Sequence, residues 1–285
     1  MPNGPIDLHT HTCFSDGSMS PDKLIDLACE KGLQAIGITD HDTVDGILAL
    51  RRAAYKPPGE IEVVAGIELS SEIFEQEIHI LGYFVNPLKS GLTSALGHLK
   101  ETREARNLQI IERLNTLGVA IGIDDLPAGA SRSLSRAHIA QALVERGYSQ
   151  SINEAFSHYL SAKVGIAYIR RERLHYGDVI GLIHEAGGLA FLAHLNQITC
   201  KEDELYTMCK TLKQAGLDGI EGYYSEYGED WQKMCAALMS QFHFLSSGGS
   251  DFHGAYKKGL QLGTGFGGLH VPYVVLERMK QALHG

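Results

Sequence analysis

The chain has 285 residues, a formal net charge of −9, and 44% hydrophobic against 21% charged residues. This composition is typical of a globular domain, and the acidic balance argues against tight binding of long nucleic-acid duplexes. There is no run of about 18 apolar residues and no signal-peptide pattern, so neither a membrane span nor secretion is predicted. Five cysteines without a C-x-x-C pair indicate a reducing, cytoplasmic setting.

Short apolar strands alternate with helices over the first 87 residues. Ser20-Pro21-Asp22 predicts a helix start, with Ser as the cap and Pro in the first turn, and Gly32 predicts its end. Alternation of this kind predicts a parallel sheet. The elements that follow are predicted as a strand at 35–39, a helix at 43–55, and strands at 62–68 and 78–85.

The alternation stops near residue 88, and helices alone are predicted over 92–117, 135–146 and 151–160. Residues 88–172 are therefore predicted to be a helical insertion between 1–87 and 173–285. Residues 92–175 carry 11 Lys and Arg against 8 Asp and Glu, so this segment is basic in an acidic chain. The later elements are predicted as helices at 177–186, 202–215, 229–240 and 272–283 and strands at 189–193, 218–221 and 243–247.

Side chains that bind metals follow strand after strand. His9 and His11 are two residues apart, so in an extended strand they point to the same side, and Asp16 follows after a short turn. Imidazole and carboxylate without thiolate favour Mn, Fe or Zn. Together these histidines and carboxylates predict a site for two or three divalent ions at the mouth of a barrel, with Mn as the preferred metal. The candidate ligands are His9, His11, Asp16, His41, Glu68, His79, His194, Asp251 and His253.

Two such ions about 3.5–4 Å apart can hold a bridging hydroxide and clamp both the attacking and the leaving oxygen of a phosphoryl group. Glu68 is the expected bridging ligand because each of its oxygens can serve one ion. Glu68, Asp251 and His253 are therefore the candidate catalytic residues, with His253 or a metal-bound water as the proton donor to the leaving alkoxide.

Other polar residues have two interpretations each. Asp40 either orients a ligand histidine or forms a turn. Asp7 is expected to orient a ligand histidine. Tyr223 and Tyr224 lie past a strand end, where they line the pocket or pack in the core. Because Arg binds phosphate in a bidentate manner, the insertion is expected to supply contacts to the substrate. These candidate substrate-binding residues are Arg136, His138, Lys163 and Arg171.

The motifs D-L-H-T-H-T-x-x-S-D-G, T-D-H-D, G-I-E-L-S, H-I-L-G-Y, A-H and G-S-D-F-H-G, in this order, resemble the PHP (polymerase and histidinol phosphatase) family. The resemblance implies an α/β fold, a distorted (β/α)7 barrel. It assigns one ion to His9, His11, Glu68 and Asp251, a second to Glu68, His79 and His194, and a third to Asp16, His41 and His253. Asp16 stands where many relatives have histidine, which implies a more labile third ion.

The insertion, with S-R-A-H-I-A-Q-A-L-V-E-R-G-Y, resembles a subgroup of 3′,5′-nucleoside bisphosphate phosphatases and 5′-to-3′ exoribonucleases. The first hypothesis is hydrolysis of adenosine 3′,5′-bisphosphate to AMP and phosphate. The second is stepwise cleavage of short 5′-phosphorylated RNA by the same site. A third, of another class, is a metal-binding accessory module without turnover. The expected partner is a small nucleotide or a short single-stranded RNA, with no membrane and no obligate protein partner.

Overall fold

The computed structural model describes residues 4–126, 134, 136–161, 164–170 and 173–284. The chain divides into two compact units. Unit 1 comprises Met1–Ser94 and Leu174–Gly285, and unit 2 comprises Ala95–Arg173. None of the helices in the described ranges combines the length and the apolar character that a membrane span requires.

The described part of unit 1 contains one sheet of nine strands, in the order β8-β7-β6-β4-β3-β2-β1-β9 with β5 beside β3. The amide of Leu8, just after β1, donates to the carbonyl of Gly248 in β8 at 3.1 Å, so the two ends of a seven-stranded path meet. This confirms the distorted (β/α)7 barrel. The strands are β1 (Pro5–Asp7), β2 (Ala35–Ile38), β3 (Glu62–Ile73), β4 (Gln76–Tyr83), β5 (Leu174–His175), β6 (Leu189–Leu192), β7 (Gly219–Tyr224), β8 (Leu245–Gly249) and β9 (Val271–Pro272).

The prediction of a parallel sheet is wrong at β4, and the short β9, which was not predicted, is antiparallel to β1. β3 continues past Glu68 to Ile73 and turns back, so β4 is antiparallel to both β3 and β6. A hairpin needs only a two-residue loop, whereas a parallel neighbour needs a crossover of a dozen or more residues. Because of this reversal, His79 in the first half of β4 lies opposite Ser70, two residues beyond Glu68.

Helices cover the outside of the barrel. In α1, Leu24, Ile25 and Ala28 are fully buried and pack in one cluster with Ile36 and Ile38 of β2, as expected for an amphipathic helix with one apolar face. The helices of unit 1 are α1 (Pro21–Glu30), α2 (Asp45–Arg52), α6 (Tyr176–Glu185), α7 (Glu202–Gln214), α8 (Glu229–Phe242) and α9 (Val274–His284).

Unit 2 is helical in its described residues and has its own apolar core. Ile110 and Leu114 pack with Ile139 and Leu143 in a cluster whose members are at most 8% exposed. Its helices are α3 (Ser90–Thr116, which begins before the unit boundary), α4 (Arg136–Glu145) and α5 (Ile152–Ala155), and α5 continues into a π-helical turn, Phe156–Leu160.

Candidate metal centre

Glu68 lies at the centre of a buried cluster of histidines and carboxylates. One of its oxygens, Oε2, is 3.2 Å from Nε2 of His9, 3.1 Å from Nε2 of His11 and 3.2 Å from Nδ1 of His41. The other, Oε1, is 2.9 Å from both Nδ1 of His79 and Nε2 of His194. The two oxygens of one carboxylate therefore face two different sets of nitrogens, as the bridging role requires.

Asp251 completes the set on the His9 side, because its Oδ1 is 3.5 Å from Nε2 of His9 and 3.2 Å from Nε2 of His11. On the other side of His11, Asp16 Oδ1 is 3.5 Å from Nδ1 of His11 and 3.3 Å from Nε2 of His253. The structure thus brings all nine candidate ligands together. Within 4.8 Å it also groups His11 with Asp16, His41 and His253, and His41 with Glu68 and His79.

The donor atoms suit divalent cations. Both ring nitrogens of His11, Nδ1 of His41 and Oδ1 of Asp16 are buried and have no hydrogen-bond partner among the described residues. An unsatisfied buried polar atom is costly, and a cation between facing lone pairs would satisfy several at once. Nitrogen–metal bonds of about 2.1 Å place neighbouring ligand atoms about 3.0–3.4 Å apart, close to the spacings of 2.9–3.2 Å around Glu68.

Burial and charge act in opposite directions on these groups. Burial would raise the pKa of Glu68, but the imidazoles of His41, His9 and His79 hold that pKa well below its usual range. Burial opposes protonation of His11, yet the adjacent carboxylates of Asp251 and Glu68 raise its pKa to about 9. For His41 burial dominates and lowers the pKa to about 4. The ion-free cluster therefore contains protons that a metal ion must displace.

Metal binding is expected to release protons for this reason. Below pH 9, protonated His11 competes with the ion, so metal affinity should rise with pH, by about tenfold per pH unit for each proton released. Calorimetric titration of Mn²⁺ at pH 7, in buffers that differ in ionisation enthalpy, counts the released protons. At least one per chain is expected, and an affinity that stays constant between pH 6.5 and 8.5 would contradict the expectation.

Glu221 in β7 is a buried residue that the sequence analysis missed. Its Oε1 accepts from Nδ1 of His9 at 2.8 Å, and its Oε2 accepts from the backbone amide of His194 at 2.7 Å. In the neutral form that binds a metal, His9 therefore keeps its proton on Nδ1 and directs the lone pair of Nε2 toward the side of Glu68 and Asp251, the arrangement by which carboxylates orient ligand histidines. A lone acid inside an apolar strand was the available signal, since such residues are rarely buried unless paired.

Asp7 and Asp40 hold the backbone of the site. Asp7 accepts from the backbone amide of His9 at 3.3 Å and from the amide and hydroxyl of Ser250 at 2.9 and 2.5 Å, so it fixes the segments that carry the candidate ligands His9 and Asp251. Asp40 accepts from Thr12 and Ser15 at 2.6–2.7 Å. These contacts correspond to the turn interpretation of Asp40, because they order the loop that leads to Asp16.

Asp251 and His194 have left-handed backbones, with φ of 58° and 24°. Such conformations are uncommon for residues other than glycine and are concentrated at functional sites. Oδ2 of Asp251 accepts from the hydroxyl of Tyr224 at 3.0 Å and from Nζ of Lys257 at 2.5 Å. Tyr224 thus contacts the cluster directly, and Lys257 is a second residue that the sequence analysis missed.

The sequence and structure comparisons agree with this geometry. Residues 7–246 match the profile of the PHP domain, so the match contains β2 to β7 in full and runs from the last residue of β1 into the start of β8. The chain belongs to the PHP domain family.

Three curated relatives of this PHP protein are named for different activities. It is 32% identical over 247 residues to a 5′-3′ exoribonuclease of Haemophilus influenzae, covering 87% of this chain and 89% of the relative. It is 30% identical to a phosphoribosyl 1,2-cyclic phosphate 1,2-diphosphodiesterase of Eggerthella lenta (88% and 94%). It is 29% identical to a 3′,5′-nucleoside bisphosphate phosphatase of Chromobacterium violaceum (90% and 90%).

Two solved structures resemble this PHP protein over nearly its whole length. An amidohydrolase from Chromobacterium violaceum, with bound sulfate and no metal, has a TM-score of 0.80 and 27% identity, covering 91% of this chain and 90% of that one. A protein from Bifidobacterium adolescentis, described as a metal-dependent phosphoesterase, has a TM-score of 0.80 and 26% identity (98% and 96%). Together with the curated relatives, they identify this PHP protein as a metal-dependent phosphoester hydrolase.

The candidate substrate residues of this PHP protein lie in unit 2. Arg136, at the start of α4, donates from Nη1 to the carbonyl of Leu160 at 3.3 Å, and its guanidinium lies 5.9 Å from the ring centroid of Phe156. His138 is half-buried on the same helix. Lys163 and Arg171 lie outside the described residues.

Proposed function

We propose that this enzyme removes a phosphate from a small nucleotide, with adenosine 3′,5′-bisphosphate as substrate and AMP and phosphate as products. The observation that carries the proposal is the cluster around Glu68, whose two oxygens face separate sets of histidines at 2.9–3.2 Å. The bisphosphate phosphatase of Chromobacterium violaceum, which aligns over 90% of both chains, supports this substrate.

Ions bound here, Mn²⁺ by our proposal, would act as Lewis acids on a phosphoryl group and would lower the pKa of water. The chain's own residues hold the donor atoms in place. His9 is fixed by Glu221. Nδ1 of His253 donates to the carbonyl of Asp251 at 2.8 Å, which directs Nε2 toward Asp16 at 3.3 Å. This orientation supports His253 as a ligand.

A second candidate is cleavage of short 5′-phosphorylated RNA from its 5′ end. The 32% identity with the Haemophilus influenzae exoribonuclease favours it, and the same cluster could serve both reactions because each breaks a phosphoester bond. The net charge of −9 argues for a short rather than a long RNA.

The two candidates are separated by parallel assays of Mn²⁺-loaded protein. Phosphate release is measured from adenosine 3′,5′-bisphosphate, and nucleotide release from a 5′-phosphorylated oligoribonucleotide of about five residues. His194→Ala is the control, because its imidazole contacts Glu68 at 2.9 Å. Turnover of the bisphosphate that disappears in the variant supports the first candidate. Turnover of the oligonucleotide alone replaces it with the second, and turnover of neither refutes both.

We also propose that basic residues of unit 2, namely Arg136, His138, Lys163 and Arg171, bind the phosphate that is not hydrolysed. The support is chemical, since guanidinium groups bind phosphate oxygens in pairs. Arg136→Ala is then expected to raise KM about tenfold or more for adenosine 3′,5′-bisphosphate and to leave KM for 4-nitrophenyl phosphate within about twofold.

Arg146→Ala is the matched control, because it removes the same charge from the same unit at an exposed site paired with Asp125. Thermal unfolding of both variants shows whether loss of the contact between Arg136 and Leu160 weakens unit 2. Equal changes in KM for the two substrates would remove Arg136 from substrate recognition.

A further inference from the structure

Lys257 places a cation against the carboxylate cluster. Its Nζ lies 2.5 Å from Oδ2 of Asp251, while Oδ1 of the same carboxylate faces the ring nitrogens of His9 and His11 at 3.5 and 3.2 Å. A single carboxylate group therefore separates the ammonium from the candidate ligand atoms.

Asp251 does not depend on this lysine to stay hydrogen-bonded, because Oδ2 also accepts from the hydroxyl of Tyr224 at 3.0 Å. An ammonium carries three N–H donors, and the side chain of Lys257 is 40% exposed. Lys257 can thus keep or release Asp251 and still offer donors to a group that arrives from solvent.

The backbone that carries Lys257 is anchored beside the cluster. Lys257 follows the 3-10 turn Gly254–Tyr256, and the amide of Ala255 donates to the hydroxyl of Ser18 at 2.8 Å. The amide of Ser18 in turn donates to the carbonyl of His253 at 3.1 Å. Gly254 has a φ of 67°, and a Cβ there would overlap the Ser18 hydroxyl. The turn therefore has a fixed position relative to His253.

We propose that Lys257 binds the phosphoryl group that the enzyme hydrolyses, an inference that rests on the proposed phosphoesterase function. A phosphate approaching this cluster meets the buried carboxylates of Glu68 and Asp251, which repel its charge. An ammonium at the rim donates hydrogen bonds to the phosphate oxygens and offsets that repulsion, as lysines do in other phosphate sites. Lys257 is thus assigned to substrate binding, and Asp251 is its resting partner.

The test compares Lys257→Met with Lys258→Met, which removes the same charge from the exposed neighbouring residue. Both proteins are loaded with Mn²⁺, bound metal is counted by elemental analysis, and the Kd for inorganic phosphate is measured by calorimetry. For Lys257→Met we expect unchanged metal content and phosphate binding weakened about 10- to 100-fold. For Lys258→Met we expect both values within about twofold of the parent.

Two outcomes would overturn the proposal. Unchanged phosphate affinity in Lys257→Met would show that the ammonium does not bind the anion. Loss of metal from that variant would show that Lys257 serves only to position Asp251. Because phosphate binding is measured without turnover, a parent enzyme that hydrolyses neither substrate would refute the proposed function and leave the test of Lys257 intact.

Discussion

Glu68→Gln is expected to lose most of its bound metal and to lower kcat/KM for phosphoesters by about 10³-fold or more, equivalent to about 4 kcal/mol of barrier. Glu68 is fully buried, and five histidines lie within 3.2 Å of its two oxygens. Glutamine keeps the shape of the side chain but removes the negative charge and turns one oxygen into a donor. One of the two sets of nitrogens would then face an amide N–H.

Glu60→Gln is the matched control for this change, because the same substitution falls on an exposed residue just before β3. Elemental analysis of the purified proteins and phosphate release give the two readouts, and circular dichroism confirms that each variant is folded. A Glu68→Gln protein that retains its metal and more than about a tenth of the parental activity would remove Glu68 from the bridging role.

Glu221→Gln should weaken metal binding about 10- to 100-fold, the usual cost of losing a partner that orients a ligand histidine. Glu221 accepts two hydrogen bonds, one from Nδ1 of His9 and one from the amide of His194. A glutamine side chain has one acceptor oxygen, so its NH₂ group must face a donor. The variant should also lose about 1–3 kcal/mol of stability, because a buried polar group is left unsatisfied.

Competition with a fluorescent chelator measures the metal affinity of this variant, and thermal unfolding of the metal-free protein measures its stability. Glu226→Gln, an exposed residue shortly after the same strand, is the control. If Glu221→Gln bound metal within about twofold of the parent, the contact with His9 would be structural without influence on the ligands.

The sequence predicts most of the strands and the residues that cluster around Glu68, because both have local signals. His9 and His11 follow an apolar strand at alternate positions, and Asp251 and His253 repeat this spacing after β8. The direction of β4 could not be predicted in the same way. The residue pattern of a strand is the same whether the strand runs parallel or antiparallel to its neighbour. The short turn at 74–75 also lacks the usual signal, because Phe74 and Glu75 adopt left-handed conformations where Gly or Asn would be expected.

The supporting residues depend on contacts between distant parts of the chain. Glu221 lies 212 residues from His9, its hydrogen-bond partner. The sequence does not distinguish Lys257 from its neighbour Lys258. Only the structure shows that Lys257 contacts Asp251. The sequence leaves two roles open for Asp40, orienting a ligand histidine or forming a turn. Its contacts with Thr12 and Ser15 favour the turn. Sequence spacing identifies residues by chemical type, but only the fold determines which partner each one meets.

Closure of the barrel between β1 and β8 also determines when the centre can assemble. Asp7 and Ser250, which fix the segments on either side of this seam, are 243 residues apart in the chain. During synthesis, His9 and His11 leave the ribosome long before Asp251 exists, so an early chain holds an incomplete set of donors. Contacts of such long sequence separation form slowly. Complete loading of the candidate metal centre is therefore expected only after this seam has closed.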